Sequence, residues 1–152
     1  MKALLQRVSR ASVSIHGKTA GAIDNGLVIL VGIAHNDSID DVTYLVNKSV
    51  DLRIFSDDAG KMNLSLADVG GEALIVSQFT LYGDARRGRR PSYTDAARPD
   101  QAIPLYEAFV AAYWDRGIHV ETGEFGADMS VDIQNDGPVT LMLESASEST
   151  QT

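Results

Sequence analysis

Leu27-Val28-Ile29-Leu30-Val31-Gly32-Ile33 is an almost unbroken apolar run of β-branched residues and leucines. Such a run has no wet face and reads as a central strand buried on both sides. It needs apolar cover above and below, so the fold is expected to be layered. Upstream, Ala11, Val13 and Ile15 alternate with Ser12, Ser14 and His16, the pattern of a strand with one wet face. A short strand is predicted over residues 19–23. Asn25-Gly26 then reads as a hairpin turn, because both residues tolerate positive φ.

Downstream, Ser38 caps a helix with Asp40 and Asp41 in its first turn and an apolar stripe of Val42, Leu45, Val46 and Val50. Asp57-Asp58-Ala59-Gly60 is a turn and Gly70-Gly71 a break. Ala73-Leu74-Ile75-Val76 is a second buried strand that delivers Ser77 to Thr80 at its end. Residues 83–98 are polar, basic and contain Pro91, as expected of a surface loop. A second helix starts between Pro99 and Pro104, carries Leu105, Tyr106, Phe109, Val110 and Tyr113 on one face, and stops at Arg116-Gly117. Met129, Val131 and Ile133, then Val139, Leu141 and Leu143, mark two alternating strands joined by a tight turn at residues 135–138. The expectation is a mixed α/β fold, a single compact domain over residues 1–145, with a largely antiparallel, barrel-like sheet and two helices. Residues 146–152 are rich in Ser, Thr and Glu and are expected to be a disordered tail.

A chain of 152 residues suits one domain with an adequate core. The absence of cysteine excludes disulfides, thiolate metal sites and a cysteine nucleophile. No apolar run approaches the roughly 20 residues that span a bilayer, and the first seven residues are too short an apolar stretch for a signal peptide. The expected setting is cytoplasmic, with no membrane partner. The net charge of −8 counts against a nucleic-acid partner. The distribution is uneven, however: Arg86, Arg87, Arg89, Arg90 and Arg98 fall within 13 residues, offset only by Asp84 and Asp95. From charge alone, a solvated loop is favoured over an anion site.

Among motifs, His16, His35 and His119 sit at a hairpin or at strand ends, with no ligand spacing and no nucleophile elbow nearby, so a histidine triad is disfavoured. Gly17, Gly21 and Gly26 punctuate hairpins and do not form a phosphate loop. Asp57 with Asp58, or Asp128 with Asp132, lack the spacing of a calcium loop; no metal and no cofactor are expected. Ser77-Gln78-Phe79-Thr80 is a dense set of hydrogen-bonding groups at the end of a buried strand. It reads equally as a site with backbone oxyanion donors or as a wet strand face that caps the loop. Asp136-Gly137 is a hairpin signal followed by an awkward proline, because Pro138 has no N–H for a ladder. A cis bond there would turn carbonyls outward, but an ordinary trans turn is the base expectation.

The segments Ser77-Gln78-Phe79-Thr80-Leu81 and Asn135-Asp136-Gly137-Pro138-Val139-Thr140 together resemble those of the D-aminoacyl-tRNA deacylase family. Gln6-Arg7-Val8, Gly88, Arg90-Pro91-Ser92, Leu105-Tyr106, Phe109 and residues 122–129 extend the likeness to all but the last eight or so residues. Arg87, Arg89 and Tyr93 depart mildly from the family pattern. The resemblance implies hydrolysis of the ester in tRNA carrying a D-amino acid or glycine, by a two-fold homodimer. Gly137 and Pro138, supported by Arg7, Val139 and Thr140, would read handedness in the partner's pocket, with Gly-Pro in the cis form. Ser77, Gln78, Phe79 and Thr80 would form the catalytic cradle, and Phe125, Gly126 and Met129 the pocket for the terminal adenine. Arg86, Arg87, Arg89 and Arg90 would contact tRNA. Thr80 as nucleophile has no base positioned by sequence; the ribose 2′-hydroxyl is the favoured agent. A non-catalytic RNA-binding module using the arginine loop is the alternative, and a general esterase a third.

Overall fold

The computed structural model describes residues 1–145; the expectation of a disordered tail over residues 146–152 lies outside them. The described residues follow the expected order of strands, helix, strands, helix, strands, although the two strands expected over residues 129–143 form one. The elements are β1 (Lys2–Ile15), β2 (Lys18–Ile23), β3 (Gly26–Gly32), α1 (Ile39–Asp51), β4 (Phe55–Ser56), β5 (Met62–Leu64), β6 (Glu72–Ser77), α2 (Pro99–Asp115), β7 (Val120–Thr122) and β8 (Ser130–Glu144). The long β1 organises the sheet. One of its edges pairs antiparallel with β3 over Lys2 to Val8, then with β2 over Ala11 to Ile15. Its other edge pairs antiparallel with β8. β6 joins β3 in parallel and β7 joins β6 in parallel, with α1 and α2 in the two crossovers. Gly21 of β2 lies against the backbone of Thr122 in β7, so the curled sheet nearly closes on itself.

Two expected hairpins are absent, for a common reason. Asn25-Gly26 does not fold β2 back on β3. Both strands lie end to end along one edge of β1 in a single register, with Ala11 opposite Ile23 and Val8 opposite Gly26, so the chain runs on without reversing. Likewise, residues 135–138 do not join two facing strands. Both halves of β8 run the same way along β1, with Asn135 opposite Val8 and Thr140 opposite Gln6. Residues 136–139 therefore protrude opposite Arg7 alone. In both places β1 is long enough to hold two consecutive partners on one edge, so the chain need not reverse.

The burial of β3 on both faces has a simple origin. Leu27, Ile29 and Val31 face a core shared with Leu5, Leu45, Val46, Phe109 and Tyr113, beneath the helices. Val28 faces a smaller core inside the curl, with Val8, Val13, Leu74 and Val76. Each fully buried aliphatic side chain contributes about 1.5–3 kcal/mol, so β3 and β6 fasten both layers. The carboxylate of Asp41 accepts a hydrogen bond from Ser38 N at 2.8 Å, closing the first turn of α1. α2 begins at Pro99, where a missing N–H costs nothing, but Pro104 lies inside the helix and not at its start. Gly117, at φ 76°, ends it. No helix among the described residues is long and apolar enough to cross a membrane.

Candidate active site

A cavity of about 260 Å³ opens where β3 and β6 end. Val76 and Ser77 bring β6 to its wall, and Gln78 and Phe79 continue it as the chain enters a 3₁₀ turn (Phe79–Tyr82). The opposite wall is Phe125 to Met129 and Val131, leading into β8. Ser77, Gln78 and Phe79 thus share one space with Phe125, Gly126 and Met129, although some fifty residues separate the two groups. The parallel pairing of β6 with β3 holds Ser77 beside Val31, which also lines the cavity. Behind the second wall, the Tyr106 ring packs on Phe125 with centroids 5.8 Å apart. Its hydroxyl donates to Ile75 O at 2.7 Å, and burial pushes its pKa up to about 12. Phe125 therefore rests on a neutral, fixed phenol.

Thr80 does not line the cavity. Its hydroxyl accepts a hydrogen bond from Gln78 Nε2, which ties the two polar side chains of the strand end together. His16, His35 and His119 all lie elsewhere: His35 Nε2 meets Thr94 O at 2.7 Å, and His119 lies between Glu72 and Glu121 on the surface. The cavity also takes Asp128, weighed in the sequence only as a calcium-loop carboxylate, and Ile33, Ala97 and Ala102, none of which stood out as site residues. Small apolar residues carry no chemical signature, and only the crossover through α2 brings Ala97 and Ala102 to the mouth of β3.

Arg7, Gly137, Pro138, Val139 and Thr140 form a second cluster, away from this cavity's lining. The Gly137–Pro138 bond is cis. Asn135 straddles the protrusion: its Nδ2 donates to Arg7 O at 2.9 Å and to Val139 O at 3.0 Å, while Thr140 Oγ1 donates to its Oδ1 at 3.3 Å. Arg7 fills the space beneath. Its Nε donates to Asp136 O at 3.3 Å and lies 3.3 Å from the Asp136 carboxylate, and Nη1 donates to Ile54 O at 2.8 Å. The Arg7 side chain is only 12% exposed, so these contacts are not merely solvated ones.

The arginine loop is closed at its base by paired backbone bonds between Asp84 and Ser92, at 2.7 and 2.9 Å. Arg86 folds back onto Asp84, with Nε at 2.9 Å and Nη2 at 2.8 Å from its carboxylate. Hydrogen bonds from the Arg86 side chain, then from its backbone, hold Asp84 down at about 2. Arg87, Arg89 and Arg90 are exposed and make no ion pair among the described residues.

Comparison with known proteins gives a consistent result. The family profile described as D-Tyr-tRNA(Tyr) deacylase matches residues 4–144. A D-aminoacyl-tRNA deacylase of Fervidobacterium nodosum is 60% identical over 145 residues, covering 95% of this chain and 97% of that protein. One of Thermus aquaticus is 58% identical over 146 residues, covering 96% of each. The solved structure of a c-Myc DNA Unwinding Element Binding Protein superposes with a TM-score of 0.89 at 40% identity, covering 97% of this chain and all of that one.

Proposed function

The chain belongs to the D-Tyr-tRNA(Tyr) deacylase family, and on that premise we propose that it hydrolyses the ester joining a D-amino acid, or glycine, to the terminal ribose of tRNA. Water adds to the ester carbonyl, the bond to the ribose oxygen breaks, and free amino acid and tRNA leave. One observation carries this reading. The polar strand end Ser77-Gln78-Phe79 and the aromatic wall at Phe125 enclose a single cavity, suited to an ester on one side and a flat base on the other. Gly126 and Met129 complete the adenine side.

The handedness filter is assigned to the protruding loop. We place Gly137 and Pro138, backed by Arg7, Val139 and Thr140, in the cavity of a second subunit of a two-fold homodimer. Two facts favour this. The loop stands off the lining of its own cavity, and β8 pairs β1 along one edge only, with no strand on its other edge among the described residues. Main-chain carbonyls fixed in this way hold the α-amino group, while the cradle holds the ester, so a D side chain points out and an L side chain meets the wall. A clash of about 5 kcal/mol rejects L substrates more than a thousandfold. Glycine has no side chain to reject and is admitted.

For the hydrolytic step, backbone N–H groups near Phe79 and Thr80 hold the oxyanion, and the neighbouring ribose 2′-hydroxyl positions water. The reaction belongs to translation quality control in the cytoplasm. Side-by-side incubation with D-Tyr-tRNA and L-Tyr-tRNA tests it. Release of tyrosine from the D form alone is expected. Equal release from both removes the handedness filter, and binding without release from either replaces the enzyme with an RNA-binding module.

A further inference from the structure

We propose that Phe79 and Tyr93 form a stacking ledge at the cavity mouth for the base of the nucleotide that precedes the terminal adenosine; this rests on the tRNA reading above. Phe79 lines the cavity, yet 57% of its surface faces solvent, and Tyr93 is 40% exposed. Their rings meet edge to face, with centroids 5.2 Å apart and planes at 72°. This is an ordered apolar pair held in water. Tyr93 is seated directly against Gly83, where a methyl would lie 3.0 Å from its Cε1 and 3.0 Å from Thr80 O. The backbone pairing of Asp84 with Ser92 fixes the chain just before Tyr93.

Three arguments select a nucleotide as the occupant. The cavity, at about 260 Å³, is below the roughly 300–1,000 Å³ of sites that enclose a whole drug-sized ligand. It takes one terminal unit, so the rest of the RNA leaves over the rim that Phe79 forms. The loop between the two aromatic residues carries Arg87, Arg89 and Arg90, exposed and without ion-pair partners among the described residues. Elsewhere the chain is acidic, with a net charge of −8, so a polyanion is guided to this loop. Open aromatic faces beside free guanidinium groups are how sequence-indifferent single-strand sites are built. Such a ledge suits an enzyme that meets one 3′ end on many tRNAs.

The test compares Tyr93→Leu with the unaltered protein on D-Tyr-tRNA and on D-tyrosyl-adenosine, which lacks the preceding nucleotide. Loss of one stacked base raises KM for the tRNA by roughly fivefold or more with kcat little changed. KM for D-tyrosyl-adenosine shifts far less, and Tyr93→Phe keeps the affinity for tRNA. Equal shifts on both substrates, or none on tRNA, overturn the ledge. So does conversion of a dimer to a monomer by Tyr93→Leu, read by light scattering, because the rings then serve a second copy. If the unaltered protein releases nothing from D-Tyr-tRNA, the substrate reading itself fails; if it is active and Tyr93→Leu matches it, only the ledge fails.

Discussion

Arg7 and Gly137 touch across the β1–β8 ladder so closely that a methyl on Gly137 would lie 2.9 Å from Arg7 Nη2. The same methyl would lie 2.9 Å from Val139 Cγ2, and Gly137 has φ 120°, a conformation that L side chains rarely adopt. Gly137→Ala is therefore expected to cost about 1–3 kcal/mol of stability and to push Arg7 from its seat. Denaturant unfolding reads the first effect. Loss of discrimination between D-Tyr-tRNA and L-Tyr-tRNA, at lowered overall rate, reads the second. Arg7→Lys tests the same contact from the other side. A lysine cannot reach both Asp136 and Ile54 O, so it is expected to relax the filter with less harm to stability.

Thr80→Ala removes a hydroxyl that accepts from Gln78 and does not line the cavity. Hydrolysis of D-Tyr-tRNA is expected to persist within roughly tenfold, well short of the loss expected on removing an essential nucleophile. A tRNA ending in 2′-deoxyadenosine is expected to be inert with the unaltered protein. Single-turnover rates measure both. Fast cleavage of the deoxy substrate, or abolition of activity by Thr80→Ala, transfers the step to Thr80.

The arginines differ in what they have left to offer RNA. Arg86 is already bound to Asp84, whereas Arg87, Arg89 and Arg90 make no ion pair among the described residues. Each arginine that meets a phosphate contributes roughly 0.7–0.9 to the slope of log affinity against log salt. Arg87→Ala, Arg89→Ala or Arg90→Ala is expected to lower that slope, and Arg86→Ala to leave it nearly unchanged. The Asp84–Arg86 pair is complete at the pH of such assays. Asp84 has its folded pKa depressed to about 2, so its contribution is present above the ordinary carboxylate value and is lost as pH falls through about 2.

Buried phenols set an alkaline limit. Burial raises the pKa of Tyr106 to about 12, and also raises Tyr113 and, with nearby carboxylates, Tyr82. Each keeps its proton in the fold beyond the value near 10 that an unfolded tyrosine has. Unfolding then releases protons, so stability is full below pH of about 10 and falls as pH rises through about 12. Tyrosinate absorbance and circular dichroism followed together are expected to change in one step in that window. Smooth titration of Tyr106 in a folded protein would contradict it.

The readable part of the fold was the part governed by side-chain period. The apolar run at residues 27–33, the cap at Ser38 and the stop at Gly117 each have a local cause, and each element formed where that cause acts. Partner choice has no local cause. Asn25-Gly26 and Asp136-Gly137 state that the chain turns, and an alternating strand states which face is wet, but neither says which edge it meets. The length of β1 decided that, by offering two places in line on each edge. The site was legible to the same degree. Ser77-Gln78-Phe79 advertised itself by polarity at the end of a buried strand, while Ile33, Ala97 and Ala102 looked like any core residues until the crossovers brought them to one opening.

The protrusion in β8 is an excess of three residues. Between Gln6 and Val8, β1 has Arg7 alone, whereas β8 has residues 136–139 between their partners Thr140 and Asn135. Excising residues 136–138 would leave Val139 opposite Arg7 and every other pairing in its present register. The loop assigned to the handedness filter is thus an insertion that the sheet does not need. On the proposed reading, scaffold and stereochemistry are written in separate pieces of chain, and the β1–β8 pairing can be kept whole without the second.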